Sequence, residues 1–500
     1  MSNRLLNWGL VVLVMITALF VYIQTLAPSI TWQHGGADSG DLAAAVATLG
    51  VAHPPGYPTY VLAGYAWSHL PLGGDLAYRL NLFSAAGAAL AAGLTALIVM
   101  DLAHSPLGRR NDAAQPGGSN TWPAVIGAVV AGLFLAFAPL TWSQATITEV
   151  YAPGLAALCL FNWLMLKWHL SPTKLGLTAA GLVAGLGFGL LPQIVLVGPG
   201  LALLLIAGRG LSGRFRQQMG WFLLGAALGL SVFLYLPLRA ADHPFINWGD
   251  PSTPASFWAV VTAAQYHHYF GLLGPADWLP RLFDSVNNLQ QGLSWSGLAL
   301  AGLGGYVLWG RNRSVLVYLL SLTGLTLIFR VVYPAIGNVV YLLPALACLT
   351  VLIGLGATWL LEKVNSQIGP AGMAVVGASI LVTLGIRVNL LRPQFDLSDD
   401  HEAAQFGQTT LAELPPQAVI LSGQDETTFS LWYQQALGRR PDVVVVDTRL
   451  LQFDWYQHHL RNRYSDLTFT TGVSPILKAD RLIFELTGES ERHLSQLTAE

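Results

Sequence analysis

The sequence predicts a mainly α-helical, polytopic membrane bundle that ends in a small α/β domain. Three features carry this expectation. Hydrophobic residues make up 53% of the chain, charged residues 10%, and mean hydropathy is +0.51. Soluble domains carry about 25% charged residues, so a water-facing surface for 500 residues cannot be built from so few. About eleven apolar stretches approach the roughly 20 residues that a span needs. Beyond about Arg392 the charges return and the apolar stretches stop.

The spans can be taken in order. The first runs from Asn7 to about Gln24 after a short basic start. It has no small-residue cleavage site and is read as a retained helix. The others centre on Ala91, Leu133, Leu158, Leu182, Leu201, Leu228, Leu303, Leu322, Leu349 and Ile380. Lysine and arginine collect in short cytoplasmic loops. With the N-terminus inside, Arg109 and Arg110, Lys174, Arg209 with Arg214 and Arg216, Arg311 with Arg313, and Lys363 all fall on the cytoplasmic side. Residues 27–79, 141–151 and 239–292 and the tail then face outward. The expected division is a membrane domain over 1–392 and an extracytoplasmic domain over 393–500. In the tail, 418–422 and 442–447 read as buried strands. Residues 426–438 and 454–463 read as helices, an α/β alternation. The tail has no glycine-rich phosphate loop and reads as a lid or docking module.

Several classes are disfavoured at once. A net charge of -2 gives no basic field for nucleic acid. Cys159 and Cys348 lie in apolar stretches and read as small core residues, not a disulfide or metal pair. The adjacent His267 and His268 lack zinc spacing.

The unusual chemistry sits in the outer loops. The first reads Thr31-Trp32-Gln33-His34-Gly35-Gly36-Ala37-Asp38-Ser39-Gly40-Asp41, then a short helix to about Leu49, then His53-Pro54-Pro55-Gly56-Tyr57-Pro58. Asp38 stands at an N-cap position with Asp41 three residues on, and capping alone accounts for that spacing. A carboxylate beside the membrane can equally act as a general base on an acceptor hydroxyl. Glu149 stands at an outer helix end, where it either complements the helix N-terminus or contacts a ligand. Arg239, after Tyr235-Leu236-Pro237-Leu238, either snorkels to headgroups or holds a phosphate. Trp248 and Asp250 follow in Asn247-Trp248-Gly249-Asp250-Pro251.

Taken together, Asp38-Ser39-Gly40-Asp41, His53 to Pro58, Trp142-Ser143-Gln144-Ala145 with Glu149-Val150-Tyr151, and Tyr235 to Arg239 with Asn247 to Pro251 resemble a membrane family related to protein O-mannosyltransferases, within the GT-C glycosyltransferases. The resemblance implies transfer of a sugar, mannose or another hexose, from a polyprenyl-phosphate carrier to a hydroxyl outside the cytoplasm. It implies a protein Ser/Thr or lipid acceptor and an inverting displacement. Asp38 takes the place of the base, with Asp41 as the second acid. His53, Tyr57, Glu149, Arg239, Trp248, Asp250, Arg79 and Arg330 form the candidate substrate contacts. Arg239 leads as the cation for the departing phosphate, with Arg79, Arg330 and His53 as alternatives. No metal ligands are assigned, and a divalent metal stays open. A bacterial plasma membrane with an outward-facing site is the expected location.

The chain departs from the family pattern in two places. Leu190-Leu191-Pro192-Gln193 follows the glycine-rich run where relatives commonly carry histidine, and Asn338 to Pro344 lacks a preceding acidic residue. A transporter or flippase is the competing class. The charges cluster at helix ends and no repeat is evident, which disfavours it.

Overall fold

The computed structural model describes residues 3–105, 121–209, 213–335, 337–469, 477–478, 481–487 and 493–497. Arg109 and Arg110, used in the orientation argument, lie outside the described residues.

Helices occur at all eleven expected centres. With the shorter helices between them, the described helices of this part are α1 (Asn3–Gln24), α2 (Ser39–Thr48), α3 (Pro58–Ser68), α4 (Leu76–Ala103), α5 (Trp122–Ala136), α6 (Pro139–Ala145), α7 (Tyr151–Leu170), α8 (Lys174–Phe188), α9 (Val197–Arg209), α10 (Gly213–Leu230), α11 (Tyr235–Ala240), α12 (Pro254–Val261), α13 (Pro275–Arg311), α14 (Arg313–Val332), α15 (Leu343–Ile368) and α16 (Pro370–Phe395). Six helical segments among the described residues are long and apolar enough to cross a membrane. Counting the bent pair α5 and α6, which meet at 64°, as one span makes seven. Helices α8 and the first part of α9 are apolar but short.

The central packing unit brings together α1, α4, α5, α7 and α15 around small side chains such as Ala88, Ala92, Ala128, Ala131 and Ala357. Outward-turned Leu13, Ile16 and Phe20 on α1, and Val375, Val382 and Ile386 on α16, are the apolar faces a bilayer covers. Cys159 and Cys348 are buried within this unit, as free thiols.

The tail is α/β. Helix α17 (Glu402–Glu413) leads into β1 (Val419–Ser422), α18 (Asp425–Ala436), β2 (Val444–Asp447) and α19 (Asp454–Arg463). Two short strands, β3 (Thr468–Phe469) and β4 (Leu477–Lys478), pair with each other, and β5 (Ile483–Thr487) and β6 (His493–Leu497) follow. The main sheet runs β2-β1-β5-β6; β1 lies parallel to β2 and β5, and β5 antiparallel to β6. Both predicted strands and both predicted helices fall within two residues of their observed bounds. Sequence patterning does not reveal α17, β5 or β6.

The tail and the outer loops share one hydrophobic core. Leu42, Ala45, Tyr60, Ile246 and Trp248 pack with Phe429, Leu431, Trp432, Val444 and Tyr456. Trp32 Nε1 donates to the Glu426 carbonyl at 2.9 Å and Tyr433 Oη to Asp75 Oδ2 at 3.0 Å. The docking that sequence suggested for the tail thus happens on the first loop itself.

Candidate functional site

The site is assembled from two loop regions, one on each side of the α4–α10 helices in sequence, that zip together. Helix α2 starts at Ser39 and ends with Leu49 in the left-handed region (φ 47°). Its last carbonyls are held by Arg239 of α11, whose Nε donates to Leu49 O at 2.7 Å and Nη2 to Thr48 O at 3.4 Å. The chain then runs alongside 246–248. Val51 N donates to Ile246 O at 2.8 Å, and Trp248 N to Val51 O at 3.1 Å. This pairing sets His53 and Trp248 over the start of α2. The His53–Pro58 turn uses Gly56 at φ +87°, a conformation only glycine adopts without strain.

Asp38 occupies the N-cap position of α2 but does not cap it. Its backbone is helical (φ -71°, ψ -9°) and its side chain accepts no backbone N–H. Nor is Asp41 part of a capping box. It is fully buried and held by three donors from elsewhere. Trp248 Nε1 reaches Oδ1 at 2.8 Å, and His53 Nδ1 and backbone N reach Oδ2 at 2.8 and 3.1 Å. The other ring nitrogen of His53, Nε2, faces the Asp38 carboxylate at 3.7 Å. Helix capping therefore explains neither acid. The two carboxylates lie on opposite nitrogens of one imidazole, with Asp41 buried and Asp38 partly exposed, at 38% of its side chain.

The charges follow from this geometry. Burial pushes Asp38 up to about 6. His53 opposes the rise, while Asp425, Asp41 and Glu426 add to it. The partial exposure of the Asp38 side chain tempers this desolvation. Burial works against a charged His53, but Asp38 and Asp41 outweigh it and hold the imidazole up to about 10. Glu149 is 2% exposed. Burial first and Asp38 second push it well above the ordinary carboxylate range. Its Oε2 accepts from the Val150 N–H at 3.2 Å, so its neighbour is its own helix start, the α7 N-terminus. Tyr57 and Tyr266 both lie within electrostatic reach of Asp38. Burial keeps both phenols protonated, reinforced at Tyr57 by Tyr341 and Asp38 and at Tyr266 by Asp38 and Asp425.

The other sequence candidates are placed as follows. Arg239 spends its guanidinium on the α2 carbonyls and on Asp242 at 2.7 Å. Arg330, 5% exposed at the end of α14, binds Asp284 Oδ2 at 2.6 Å and Ser285 Oγ at 2.5 Å, and its Nε has no partner. Phe329, Tyr333 and Tyr341 form a continuous aromatic contact beside it. Arg79, on α4, also has a buried Nε without a partner. Asp250 accepts from Asn247 Nδ2 at 3.3 Å and supports the 247–251 turn. The structure therefore brings Asp38, Asp41, His53, Tyr57, Glu149 and Trp248 together, and gives Arg239 and Asp250 loop-holding contacts. Among the described residues no group of three His, Cys, Asp or Glu is arranged to hold a metal ion. Sequence reading missed Asp425 and Glu426, which come to Asp38 from α18. Nothing local in the sequence signals a contact across nearly 390 positions.

The molecule defines a GT-C-type polytopic membrane fold with an acidic site in the loop region after its first helix. ArnT from Cupriavidus metallidurans has the same architecture. Its structure bound to undecaprenyl phosphate aligns with a TM-score of 0.53 at 14% identity over 95% of this chain and 98% of that one. Its apo state aligns at 0.54 with the same identity and coverage. Residues 38–211 match the family model described as the protein O-mannosyl-transferase TMEM260 N-terminal domain, and 403–468 match TMEM260-associated domain 2. The chain is 25% identical over 448 residues to protein O-mannosyl-transferase TMEM260 of Mus musculus, covering 84% of this chain and 60% of that protein. It is 21% identical over 502 residues to the Dictyostelium discoideum protein of the same name, covering 89% and 58%. The chain thus spans about three fifths of the length of the curated relatives it matches. Its likeness to the GT-C O-mannosyltransferase family agrees with the motifs read from the sequence.

Proposed function

We propose that this chain is a membrane glycosyltransferase that passes a hexose, mannose first, from a polyprenyl-phosphate carrier to a protein Ser or Thr hydroxyl on the extracytoplasmic face. One observation carries the reading: Asp38 is a carboxylate freed from helix capping, partly exposed, and faced by an imidazole that a buried carboxylate holds in place. A group built to cap needs none of this support.

In the proposed step Asp38 takes the proton of the acceptor hydroxyl as its oxygen attacks the anomeric carbon. The bond from that carbon to the phosphate oxygen breaks, its electron pair leaves with the polyprenyl phosphate, and configuration inverts. The sugar arrives with its leaving group already attached, so no nucleotide loop is required. A cation must meet the growing phosphate charge. Arg330 suits that role better than Arg239, because its Nε is unpartnered and an aromatic wall through Tyr341 leads from it towards Tyr57 and Asp38. The relatives' names support O-mannosyl transfer, and the undecaprenyl phosphate in the ArnT structure supports a lipid-linked donor. The lysine and arginine distribution supports an outward-facing site.

The test is a transfer assay on purified protein in lipid, offering polyprenyl-phosphate mannose and other hexoses with Ser/Thr peptides. Transfer by the wild type that Asp38→Asn abolishes, with normal melting of the variant, is the expected outcome. Wild-type turnover by Asp38→Asn removes Asp38 from the base role.

A further inference from the structure

We infer that Trp248 is a positioning residue for the reaction, and that through it the C-terminal α/β domain helps to hold the active site. The inference rests on the reading of Asp38 as the base. Trp248 was a candidate substrate contact by sequence. In the structure it is 5% exposed and its one polar atom is committed: Nε1 donates to Asp41 Oδ1 at 2.8 Å. Asp41 in turn holds His53 Nδ1, and His53 Nε2 faces Asp38. The indole is thus the outermost member of a chain Trp248–Asp41–His53–Asp38.

What fixes the indole is the tail. Its ring lies edge-on to Phe429 and Trp432 of α18, with centroids 6.1 and 6.2 Å away, and tilted against Trp455 of α19 at 5.9 Å. These three side chains belong to a domain joined to the bundle some 150 residues after Trp248. Offset and edge-to-face aromatic pairs fix both distance and orientation. A ring caged on three sides cannot swing its N–H away from Asp41. The tail approaches the chain from Asp38's side as well, since Asp425 and Glu426 of α18 act on that carboxylate.

The chemistry gives the arrangement a purpose. Asp41 binds His53 with one oxygen and the indole with the other. With the indole donor removed, the carboxylate is free to rotate away from Nδ1. His53 then carries less positive charge, and Asp38 faces a weaker cation and is harder to ionise. A group that only filled space has no such effect. Trp248→Phe therefore separates the two roles, because it keeps a large ring in the cage and removes only the N–H.

The experiment uses full-length protein in lipid with carbon-13-labelled histidine, and His53→Gln to assign the signal. In the wild type at pH 8 His53 is read as imidazolium. In Trp248→Phe that signal moves towards neutral imidazole. In the transfer assay kcat falls about ten- to a hundredfold, the scale on which orienting partners act. KM for donor and acceptor stays put, and the acid limb of the pH profile moves to higher pH. Trp432→Leu, which keeps the indole N–H and breaks the cage, shifts the histidine signal in the same direction by a smaller amount. An unchanged His53 signal in folded Trp248→Phe overturns the positioning role, and an unchanged signal in folded Trp432→Leu overturns the tail's part in it. If Trp248→Phe does not fold, the Trp432→Leu signal decides. The histidine readout needs no turnover. Failure of wild-type transfer therefore counts against the proposed function, and failure of the histidine shift against this inference.

Discussion

Gly40 and Phe429 touch so closely that a Cβ on Gly40 would sit 2.3 Å from the Phe429 carbonyl oxygen. This contact, in the turn between Asp38 and Asp41, is where helix α18 of the tail lands on the first loop. The obstructing atom is backbone, so it cannot rotate aside. Gly40→Ala is expected to destabilise the protein by about 1–3 kcal/mol, the usual range for overpacking. It is also expected to lower transfer activity, because the strain falls between the two acids. Thermal melting and kcat on the purified variant test this; a variant that melts and turns over like wild type would show that the α18–loop contact gives way freely.

The acid limb of activity follows from Asp38. Burial raises it to about 6, and a base works only when ionised, so activity should rise as pH passes from about 5 to 7. His53 is the group that pulls Asp38 down. His53→Gln removes that charge, so the limb moves to higher pH and activity at pH 7 falls. A pH–rate profile of the two proteins checks both the position of the limb and the direction of its movement. A limb that moves to lower pH would mean that His53 does not act as a cation on Asp38.

Glu149 gives a stability prediction of definite sign. Its folded-state pKa lies well above its ordinary 4.5. Above pH 4.5 the folded protein holds a proton that the unfolded chain releases, so this group's contribution to stability is full below that pH and is lost as pH rises. Glu149→Gln keeps the shape and the neutral state. The variant should match wild type at pH 4.5 and become progressively more stable than it towards pH 8. Melting temperatures at several pH values measure the difference, and parallel curves for the two proteins contradict a protonated Glu149.

These predictions mark what a one-dimensional reading can and cannot see. The apolar helices were legible because hydrophobic runs about 20 residues long have few other uses, but about eleven were expected as spans and only six or seven among the described residues are long and apolar enough to cross a membrane. The tail's β1, α18, β2 and α19 were legible because strand and helix periods alternate there. The first loop's acids were found, but their local spacing pointed equally to capping. What separates the readings is Trp248, 207 residues away, and α18, farther still. Pairing of Val51 with Asn247 and docking of Phe429 on Gly40 are long-range events with no local signature. Arg239 is a further case: its place at a helix end left both headgroup and phosphate contact open, and only the folded chain shows its bonds to the α2 carbonyls.

Arg239 and Arg330 can be told apart by experiment. Arg239 ties the end of α2 to α11 through Leu49 O and Thr48 O and pairs with exposed Asp242. Hydrogen bonds from a charged donor contribute roughly 1.5–3 kcal/mol. Arg239→Ala should therefore cost stability on that scale, while the KM for the polyprenyl-phosphate sugar changes little in the protein that stays folded. Arg330 sits among Asp284, Ser285 and the aromatic wall, with Nε unpartnered. Arg330→Lys keeps a cation beside the exposed Asp284 carboxylate and discards the planar fork, so folding should survive while donor use weakens about tenfold or more. Donor titrations with both variants read the result directly. A donor KM that rises in Arg239→Ala and stays level in Arg330→Lys would reassign the phosphate to the α2–α11 junction. The reverse pattern places it at the outer end of α14, one aromatic wall away from Asp38.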